Sequence, residues 1–236
     1  MKKLQLFFLL VCASPVNSQV VIDVDRNPVN LSSRLFYTVG NAPFSPAKYV
    51  RVVSGSPYFS NSWMKGTLMT KDSAVYSDIR LRLDLIEGTL IYLNEKDEEM
   101  VSIAPILEVS LTDTLTEQSY YFVHNSSLNG ITNKGDAKSW YQVLTGDAVP
   151  LYKQYFKNID ESKPYGSSIT EQNIRTSVRY FIVVNKAMVR VKKIKEIPDI
   201  LFDKRAELQK FINDNKLEGK KDDDYISLMH YYNSLK

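Results

Sequence analysis

Strict alternation of apolar and charged residues between Ile79 and Leu85 is the feature that most limits how this chain can fold. Four leucine or isoleucine side chains fall on one side of an extended chain, and the three residues between them are charged: Arg80, Arg82 and Asp84. A period of two with one apolar face is typical of a strand in an antiparallel sheet that has one face in the core and the other in water. We therefore expect a half-buried strand here, with Asp84 on the polar face and paired with its charged neighbours.

The region around this strand reads as a series of short strands separated by turn residues. The predicted strands are 49–53, 66–70, 79–85, 89–93, 100–104, 106–111 and 119–124, with the charged segment 94–99 as a hairpin tip. Turn signals recur in this region about every 8–12 residues. This spacing is typical of a β-sandwich or a small β-barrel. Two further short strands are predicted nearer the N terminus, at 20–24 and 35–39.

The second half of the chain continues the β pattern and then becomes helical. Segments 140–144 and 148–156 flank a three-residue turn, although 148–156 is also compatible with a short helix. Segments 178–184 and 187–193 form a predicted hairpin across Asn185 and Lys186. After Pro198, apolar residues at helical spacing predict a helix over 199–215. A second helix is predicted to reach the C terminus from Asp222–Asp224, which would cap it.

Together these elements predict an α+β fold. The main part is antiparallel β, as a meander, a sandwich or an open barrel-like sheet, and a C-terminal two-helix element follows it. We divide the chain after the leader into a β-rich body at 19–160, a loop or linker at 161–177, and a hairpin with two helices at 178–236 that packs on the body. The linker is predicted from its Pro, Gly, Ser and charged residues.

Residues 1–18 have the composition of a secretory signal peptide. Lys2 and Lys3 form a basic start, an apolar run of eight residues follows, and small polar residues come next. Such a run is too short to cross a membrane, which takes about 20 residues. We expect cleavage between Ser18 and Gln19, export to the periplasm or cell surface, and no transmembrane segment after the leader is removed. The alternative is a lipoprotein signal in which Cys12 becomes the lipidated residue.

The charge balance gives no reason to expect a nucleic-acid partner. The sequence has 30 Lys and Arg against 27 Asp and Glu, a formal net charge of +3. Cleavage would remove two lysines and no acid, which leaves a charge of +1. Nucleic-acid binding calls for a clustered basic stripe rather than near neutrality.

The residue types that perform most enzyme chemistry are scarce. Only His124 and His230 could supply an imidazole, and the single cysteine lies in the leader. The sequence has no G-x-S-x-G segment and no glycine-rich loop before a helix. We therefore predict no catalytic residue, no cofactor and no metal site. A hydrolase that uses a pair of carboxylates, such as Asp84 and Glu87, stays open as an alternative.

Several segments follow one another in an order that carries a resemblance. The chain reads GSPYF at 55–59, then Trp63 and Lys65-Gly66, then LRLDL at 81–85 and HYYN at 230–233. This order, together with segment 140–155, resembles a group of secreted proteins of Bacteroidota bacteria whose function is unknown. The resemblance implies export to the cell envelope and a β-rich body with helices at its end. It implies no site residues.

Aromatic residues are the one chemically useful class that is abundant, with 15 tyrosines in the chain. Tyrosine and tryptophan offer rigid contact area together with a polar tip, so they suit ligand surfaces. The predicted ligand surface consists of Tyr58, Trp63, Tyr120 and Tyr121. We hypothesise a non-enzymatic binding or structural module whose partner is an envelope protein, a peptide or a glycan. The second alternative, beside the hydrolase, is a carrier of a lipid or other apolar ligand, which needs an apolar cavity between sheet and helices.

Overall fold

The computed structural model describes residues 21–22, 42–43, 49, 51–128 and 137–236. Four expectations concern residues outside this part of the chain. They are the signal peptide at 1–18, its cleavage between Ser18 and Gln19, the lipidation of Cys12, and the strand at 35–39. All four stay predictions.

Thirteen strands and three α-helices form the regular structure of the described residues. The strands are β1 (Val21–Ile22), β2 (Ala42–Pro43), β3 (Val52–Ser54), β4 (Met64–Thr70), β5 (Val75–Asp84), β6 (Thr89–Leu93), β7 (Glu99–Val101), β8 (Ile106–Thr112), β9 (Ser119–His124), β10 (Trp140–Thr145), β11 (Leu151–Ser162), β12 (Glu171–Val184) and β13 (Ala187–Val191). The helices are α1 (Ile197–Ile200), α2 (Arg205–Asp214) and α3 (Asp222–Ser234). The fold is α+β, a mostly antiparallel sheet with a C-terminal helix pair, and this confirms the predicted class.

One sheet contains all of these strands. Eleven of them follow a single path in the order β13-β12-β11-β10-β9-β8-β4-β5-β6-β7-β2. Neighbours along this path are antiparallel, whereas β1 joins β5 and β3 joins β12 in parallel. From β4 to β13 the chain departs from a simple meander at one point, because β8 pairs with β4 rather than with β7. As a result β5, β6 and β7 extend from one side of β4, and β8 to β13 extend from the other.

The sheet curls so that its two halves meet around Phe59. The backbone N–H of Phe59 donates to the carbonyl of Leu83 on β5 at 2.9 Å, while its ring centroid lies 5.3 Å from that of Tyr155 on β11. Five inter-strand steps separate β5 from β11, which would place them about 24 Å apart in a flat sheet. Because Phe59 contacts both β5 and β11, the sheet must be strongly curved. It therefore corresponds to the open barrel-like sheet, one of the three predicted forms.

The first hydrophobic core lies on the face that curls around Phe59. The alternation predicted in β5 is confirmed here, since Ile79, Leu81 and Leu83 are each at most 4% exposed. The buried members of this core are Met64, Leu68, Tyr76, Ile79, Leu81, Leu83, Leu90, Tyr92, Ile106, Val109, Leu111, Phe122 and Trp140.

A second core lies between the helices and strands β11 to β13. From the strands it takes Leu151, Ile182 and Val191, and from the helical region Ile194, Ile197, Leu201, Leu208, Ile212, Tyr225, Leu228, Met229 and Tyr232, with Val149 beside them. The helix predicted over 199–215 is divided into α1, a 3-10 turn at Phe202–Lys204, and α2. Within the described residues, every helix is too short or too polar to cross a bilayer.

The cap predicted for the last helix is wrong in its detail. Helix α3 begins at Asp222 as expected, but the residue at its N-cap is Lys221, which makes no side-chain capping bond. Asp224 instead accepts hydrogen bonds from the backbone N–H groups of Gly219 and Lys220, at 2.8 and 3.2 Å. Asp224 therefore stabilises the loop before the helix, while Asp222 forms hydrogen bonds with Lys153 and Tyr180 of the sheet.

The loop predicted at 161–177 is mostly strand. β11 and β12 pair continuously from Ser162↔Glu171 to Leu151↔Ile182, so the connecting loop is only 163–170. This pairing also shows that 148–156 does not form the short helix considered as its alternative. The outer parts of both strands extend past the hydrophobic cores, and residues 175–178 are all exposed. Strand residues without a buried face have no apolar alternation, so the sequence pattern there is that of a loop.

The hairpin predicted across Asn185 and Lys186 is confirmed. Val184 pairs with Ala187, and pairing continues to Tyr180 and Val191. Asn185 and Lys186 have φ values of 52° and 61°, as a two-residue type I′ turn requires.

Candidate ligand-binding site

A short backbone bridge places Tyr58 beside the end of β5. Tyr58 and Asp84 form an isolated antiparallel bridge. The flanking hydrogen bonds run from the N–H of Phe59 to the carbonyl of Leu83 at 2.9 Å and from the N–H of Leu85 to the carbonyl of Pro57 at 3.0 Å. Segment 57–59 thus continues the pairing of β5 beyond the point where β4 ends. This pairing fixes where the Tyr58 ring can lie.

Arg82 of β5 lies between two of the aromatic residues predicted to contact a ligand. Its guanidinium carbon is 4.1 Å from the ring centroid of Trp63 and 4.8 Å from that of Tyr58. Cation–π contacts of this kind contribute about 0.5–2 kcal/mol, more as the site loses water. The Arg82 side chain is only 15% exposed, so the two rings hold the guanidinium in place. We call Tyr58, Trp63, Arg82 and Glu99 the Arg82 cluster.

The donors of Arg82 are only partly used within this cluster. Nη1 is 3.8 Å from the Glu99 carboxylate, which is beyond hydrogen-bond distance. Nε is buried and has no hydrogen-bond partner among the described residues. Burial raises the pKa of Tyr58, and a hydrogen bond with Arg82 opposes that rise. A guanidinium has five N–H donors in a planar fork, so Arg82 retains donors for a planar acceptor such as a carboxylate.

Asp84 does not lie on a solvated polar face, as the alternation predicted. It is 1% exposed. Its Oδ1 accepts the backbone N–H groups of Ile86 and Glu87, each at 2.9 Å, and its Oδ2 accepts the hydroxyl of Tyr49 at 2.7 Å. The carboxylate therefore fixes the turn after β5, and the expected pairing with Arg80 and Arg82 is wrong. Those arginines form ion pairs with Asp97 and Glu99 instead.

The surroundings of Asp84 also perturb two neighbouring groups. Burial and the hydrogen bond to Asp84 both raise the pKa of Tyr49, so its hydroxyl stays protonated as a donor. Burial lowers the pKa of Lys157, and the charge of Asp84 acts in the opposite direction. A carboxylate engaged in this way is a structural anchor beneath the Arg82 cluster.

The other two predicted aromatic residues lie elsewhere. The ring of Tyr120 packs edge-on against Phe59 with centroids 4.8 Å apart, and its hydroxyl donates to Gln118 at 2.7 Å. Tyr121 follows it on β9 and points to the opposite face of the sheet, where it is 40% exposed and donates to Glu108. Burial and that hydrogen bond raise the pKa of Tyr121. The structure thus brings together Tyr58 and Trp63 but not Tyr121.

The two carboxylates considered for a hydrolase have separate partners. Asp84 is held by the turn and by Tyr49, whereas Glu87 pairs with Lys138 at 3.4 Å. Two cavities among the described residues have volumes of about 200 and 540 Å³. Their described linings contain one carboxylate, that of Glu218 in the larger cavity. Neither cavity therefore places a pair of acids around a substrate position.

His124 lines the smaller cavity and has a structural task. Its Nδ1 accepts the N–H of Ser126 at 3.3 Å and lies 2.7 Å from the hydroxyl of the same residue, which caps the 3-10 turn Asn125–Ser127. Burial lowers its pKa. His230 lies at the surface, with Nδ1 2.9 Å from Asp147. The described residues contain no group of three or more His, Cys, Asp and Glu side chains positioned to hold a metal ion.

Sequence reasoning missed a second polar cluster, which joins the sheet to the helices. The Nζ of Lys153 lies 2.6 Å from Oδ2 of Asp222, and the hydroxyl of Tyr180 donates to Oδ1 at 2.5 Å. Burial alone would lower the pKa of Lys153, but its hydrogen bonds to Asp222 and Tyr155 outweigh this effect and raise it. The one available signal was a lysine at an inward position of β11, between Leu151 and Tyr155.

Comparison with known proteins adds no further assignment. No family model matches the chain, and neither curated proteins nor solved structures give a match. The site must therefore be interpreted from its own geometry.

Proposed function

We propose that this chain is an exported, non-enzymatic binding module of the cell envelope whose ligand contacts the Arg82 cluster. Export is supported by the basic, apolar and small-residue segments of positions 1–18. The binding role is supported by one observation above the others, the guanidinium of Arg82 held between the rings of Trp63 and Tyr58. Such a group is preorganised, so a ligand that binds it would lose little free energy to ordering the side chain.

The chemistry of the cluster favours a ligand with a carboxylate. Arg82 binds Glu99 only loosely, at 3.8 Å, and Glu99 is 39% exposed. A carboxylate that approached in the plane of the guanidinium could form two parallel hydrogen bonds and displace Glu99. We assign the ligand as a glycan that contains uronic acid, because such a sugar combines a carboxylate with a face of C–H groups that can pack on an aromatic ring.

Calorimetric titration of the mature protein tests this assignment with three probes. They are a trimer of galacturonic acid, a neutral glucose trimer, and a short peptide with a free C-terminal carboxylate. We expect only the acidic sugar to bind. Arg82→Lys keeps the charge but removes the planar fork, so it should weaken binding about tenfold.

Arg80→Lys is the matched control for Arg82→Lys. Arg80 lies two residues earlier on the same strand and is more than half exposed, in an ion pair with Asp97. It contacts neither aromatic ring of the cluster, so its substitution should leave sugar binding unchanged. Equal effects of the two substitutions, or binding of the peptide but not of the sugar, would contradict the proposal.

The export part of the proposal has its own test. Mass spectrometry of the protein recovered from the envelope fraction should give an N terminus at Gln19. If the N-terminal residue were instead a lipidated Cys12, cleavage before Gln19 would be wrong and the protein would be anchored to the membrane by its lipid.

A further inference from the structure

Between two paired stretches, the outer edge of β12 has no strand partner among the described residues. On its inner edge β12 pairs with β11 without a register shift. On its outer edge β3 pairs at Gln172 and Asn173, and β13 pairs at 180–184. Within the part of the chain that the structure describes, no strand pairs with this edge at 174–179. We call this stretch the β12 gap.

One hydrogen bond shows which backbone groups face the gap. The N–H of Gln172 donates to the carbonyl of Arg51 at 2.8 Å, so it points to the outer edge. Alternate residues of a strand direct their N–H and C=O groups to the same edge. Thr176 and Val178 therefore also direct these groups outward, and both residues are exposed. Unpaired groups of this kind form a template for another strand.

Backbone closes the gap at both ends. Gly55 has a φ of 77° and lies so close to the carbonyl of Ile174 that a Cβ there would overlap it. At the other end, β13 leaves the sheet after Val191, opposite Tyr180. Five residues, 175–179, lie between these points, and the distance from Ile174 to Tyr180 along the strand is about 20 Å, so the gap fits an extended segment of about five or six residues.

The charges around the gap select an acidic occupant. Arg175 and Arg179 project from the same face of β12, and exposed Lys192 and Lys193 directly follow β13. Asp160 pairs with Arg175, and the Glu196 carboxylate accepts the backbone N–H of Lys192 at 3.1 Å, so two acids lie beside these four positive charges and the net charge around the gap is positive. On the other face of β12, Val178 is 42% exposed. A complementary segment would thus alternate acidic residues with apolar ones.

The same charges argue against a second copy of this chain. Antiparallel self-pairing centred on Ser177 would place Arg175 of each copy opposite Arg179 of the other. Like charges directly opposite each other destabilise a strand pair.

We propose that the β12 gap binds an extended acidic peptide segment by strand addition. The backbone groups of Thr176 and Val178 supply the hydrogen bonds, which is the usual source of affinity in this mode of recognition. The two arginines select acidic side chains on one face, and Val178 contacts an apolar side chain on the other. This site is independent of the Arg82 cluster.

The experiment uses a labelled, end-capped hexapeptide that alternates glutamate and valine, in fluorescence anisotropy with the mature protein. Thr176→Pro removes an outward N–H from an edge, where proline is tolerated. We expect this variant to bind about tenfold more weakly, because one hydrogen bond is lost and its partner is left unpaired. Thr176→Val keeps the N–H and is the matched control, for which affinity should stay unchanged.

Two further peptides keep the test valid if Thr176→Pro fails to fold. A peptide N-methylated on the amides that face β12 should bind at least about tenfold more weakly to the wild-type protein. A lysine–valine peptide should bind weakly, and Arg175→Glu combined with Arg179→Glu should reverse this preference. Three results would overturn the proposal. They are equal affinity for the methylated and unmethylated peptides, equal affinity for the glutamate–valine and lysine–valine peptides, and no binding of the glutamate–valine peptide. If the wild-type chain formed a dimer and Thr176→Pro abolished it, the proposal would be wrong and the gap would bind a second copy of the chain.

Discussion

The ammonium group of Lys153 lies 2.6 Å from the carboxylate of Asp222, and this contact joins the middle of β11 to the first turn of α3. The Lys153 side chain is 11% exposed and that of Asp222 is 33% exposed, so the pair is partly shielded from water. The hydroxyl of Tyr180 reaches the second oxygen of the same carboxylate, and the ring of Tyr180 stacks on Tyr225 with centroids 4.0 Å apart. One carboxylate therefore ties two strands to one helix.

Asp222→Asn should destabilise the protein by about 1–2 kcal/mol, because it leaves the shielded ammonium of Lys153 without its counter-charge. The figure is lower than for a fully buried pair because water screens the exposed part of Asp222. Urea unfolding monitored by far-UV circular dichroism measures the change. The control is Asp97→Asn, which removes a more exposed pair with Arg80 and should cost less than about 1 kcal/mol. Equal losses in the two variants would show that the Lys153–Asp222 pair adds nothing beyond a surface ion pair.

Alkaline pH should weaken the same connection. The pKa of Tyr180 is raised from its ordinary value of 10.0 by burial and by its hydrogen bond to Asp222. A group whose pKa is raised on folding contributes stability that is complete below the unfolded pKa and is lost as pH rises above it. The stability of the wild-type protein should therefore fall above about pH 10.

Tyr180→Phe tests this cause directly, because it keeps the ring that stacks on Tyr225 and removes the titrating hydroxyl. At neutral pH it should cost about 1 kcal/mol for the lost hydrogen bond. Its loss of stability above pH 10 should be smaller than that of the wild-type protein, as measured by urea unfolding across the pH range. The same alkaline slope in both proteins would assign the loss to other tyrosines.

Those parts of the fold that depend on a few neighbouring residues could be predicted from the sequence, whereas those fixed by distant contacts could not. The alternation around Leu81 and the turn at Asn185-Lys186 are local signals, and both were confirmed because their cause lies within a few residues of chain. The strands at 157–162 and 171–177 carry no such signal because they extend beyond the cores. The buried positions there include a polar residue, Gln172, beside Ile174, and residues 175–178 are all exposed. Their pairing is fixed by the inner half of the same hairpin, where Leu151 and Ile182 are buried.

The candidate site shows the same limit. Asp84 has the position in the alternation that a solvated acid would have. Its hydrogen bonds with Tyr49 and with the turn after β5 stabilise it in a buried position, and the alternation shows neither of them. Tyr58 and Trp63 were singled out by residue type, but their common partner Arg82 is 19 residues further along the chain than Trp63. A sequence supplies the residue types for such a cluster, whereas the curvature of the sheet and the bridge from Tyr58 to Asp84 decide which of them meet.

His124 should make the protein sensitive to acid. Burial lowers its pKa from the ordinary value of 6.5, so folding favours the neutral ring that accepts the N–H of Ser126. A group with a lowered pKa contributes stability that is present above the unfolded pKa and is lost as pH falls below it. His124→Asn keeps a side-chain acceptor for the turn and does not titrate. Thermal unfolding of this variant should change less between pH 7 and pH 5 than that of the wild-type protein, and an unchanged acid slope would contradict the assignment.

Phe59→Ala should be the most damaging of these substitutions, because Phe59 is where the two halves of the curved sheet meet. Its ring touches Tyr120, Phe122 and Tyr155 with centroids within 5.3 Å, and deletion would leave a cavity among all three. Removal of a core phenylalanine costs about 3–5 kcal/mol, and partial exposure places the expected loss near 3 kcal/mol. Phe202→Ala is the matched control, since Phe202 is 75% exposed and its loss should change stability by less than about 0.5 kcal/mol.

The same variant tests how the fold positions the Arg82 cluster. Without the ring of Phe59, the bridge from Tyr58 to Asp84 retains its backbone hydrogen bonds but loses the packing that presses segment 57–59 against β5. Amide hydrogen exchange at Phe59 and Leu85, whose N–H groups form the flanking bonds, should therefore accelerate in Phe59→Ala beyond the change that global destabilisation causes. The contrary result is exchange at these two amides that changes only as much as the loss of global stability requires. In that case backbone hydrogen bonds alone would hold segment 57–59, and the packing of Phe59 in the curved sheet would have no part in orienting Tyr58 toward Arg82.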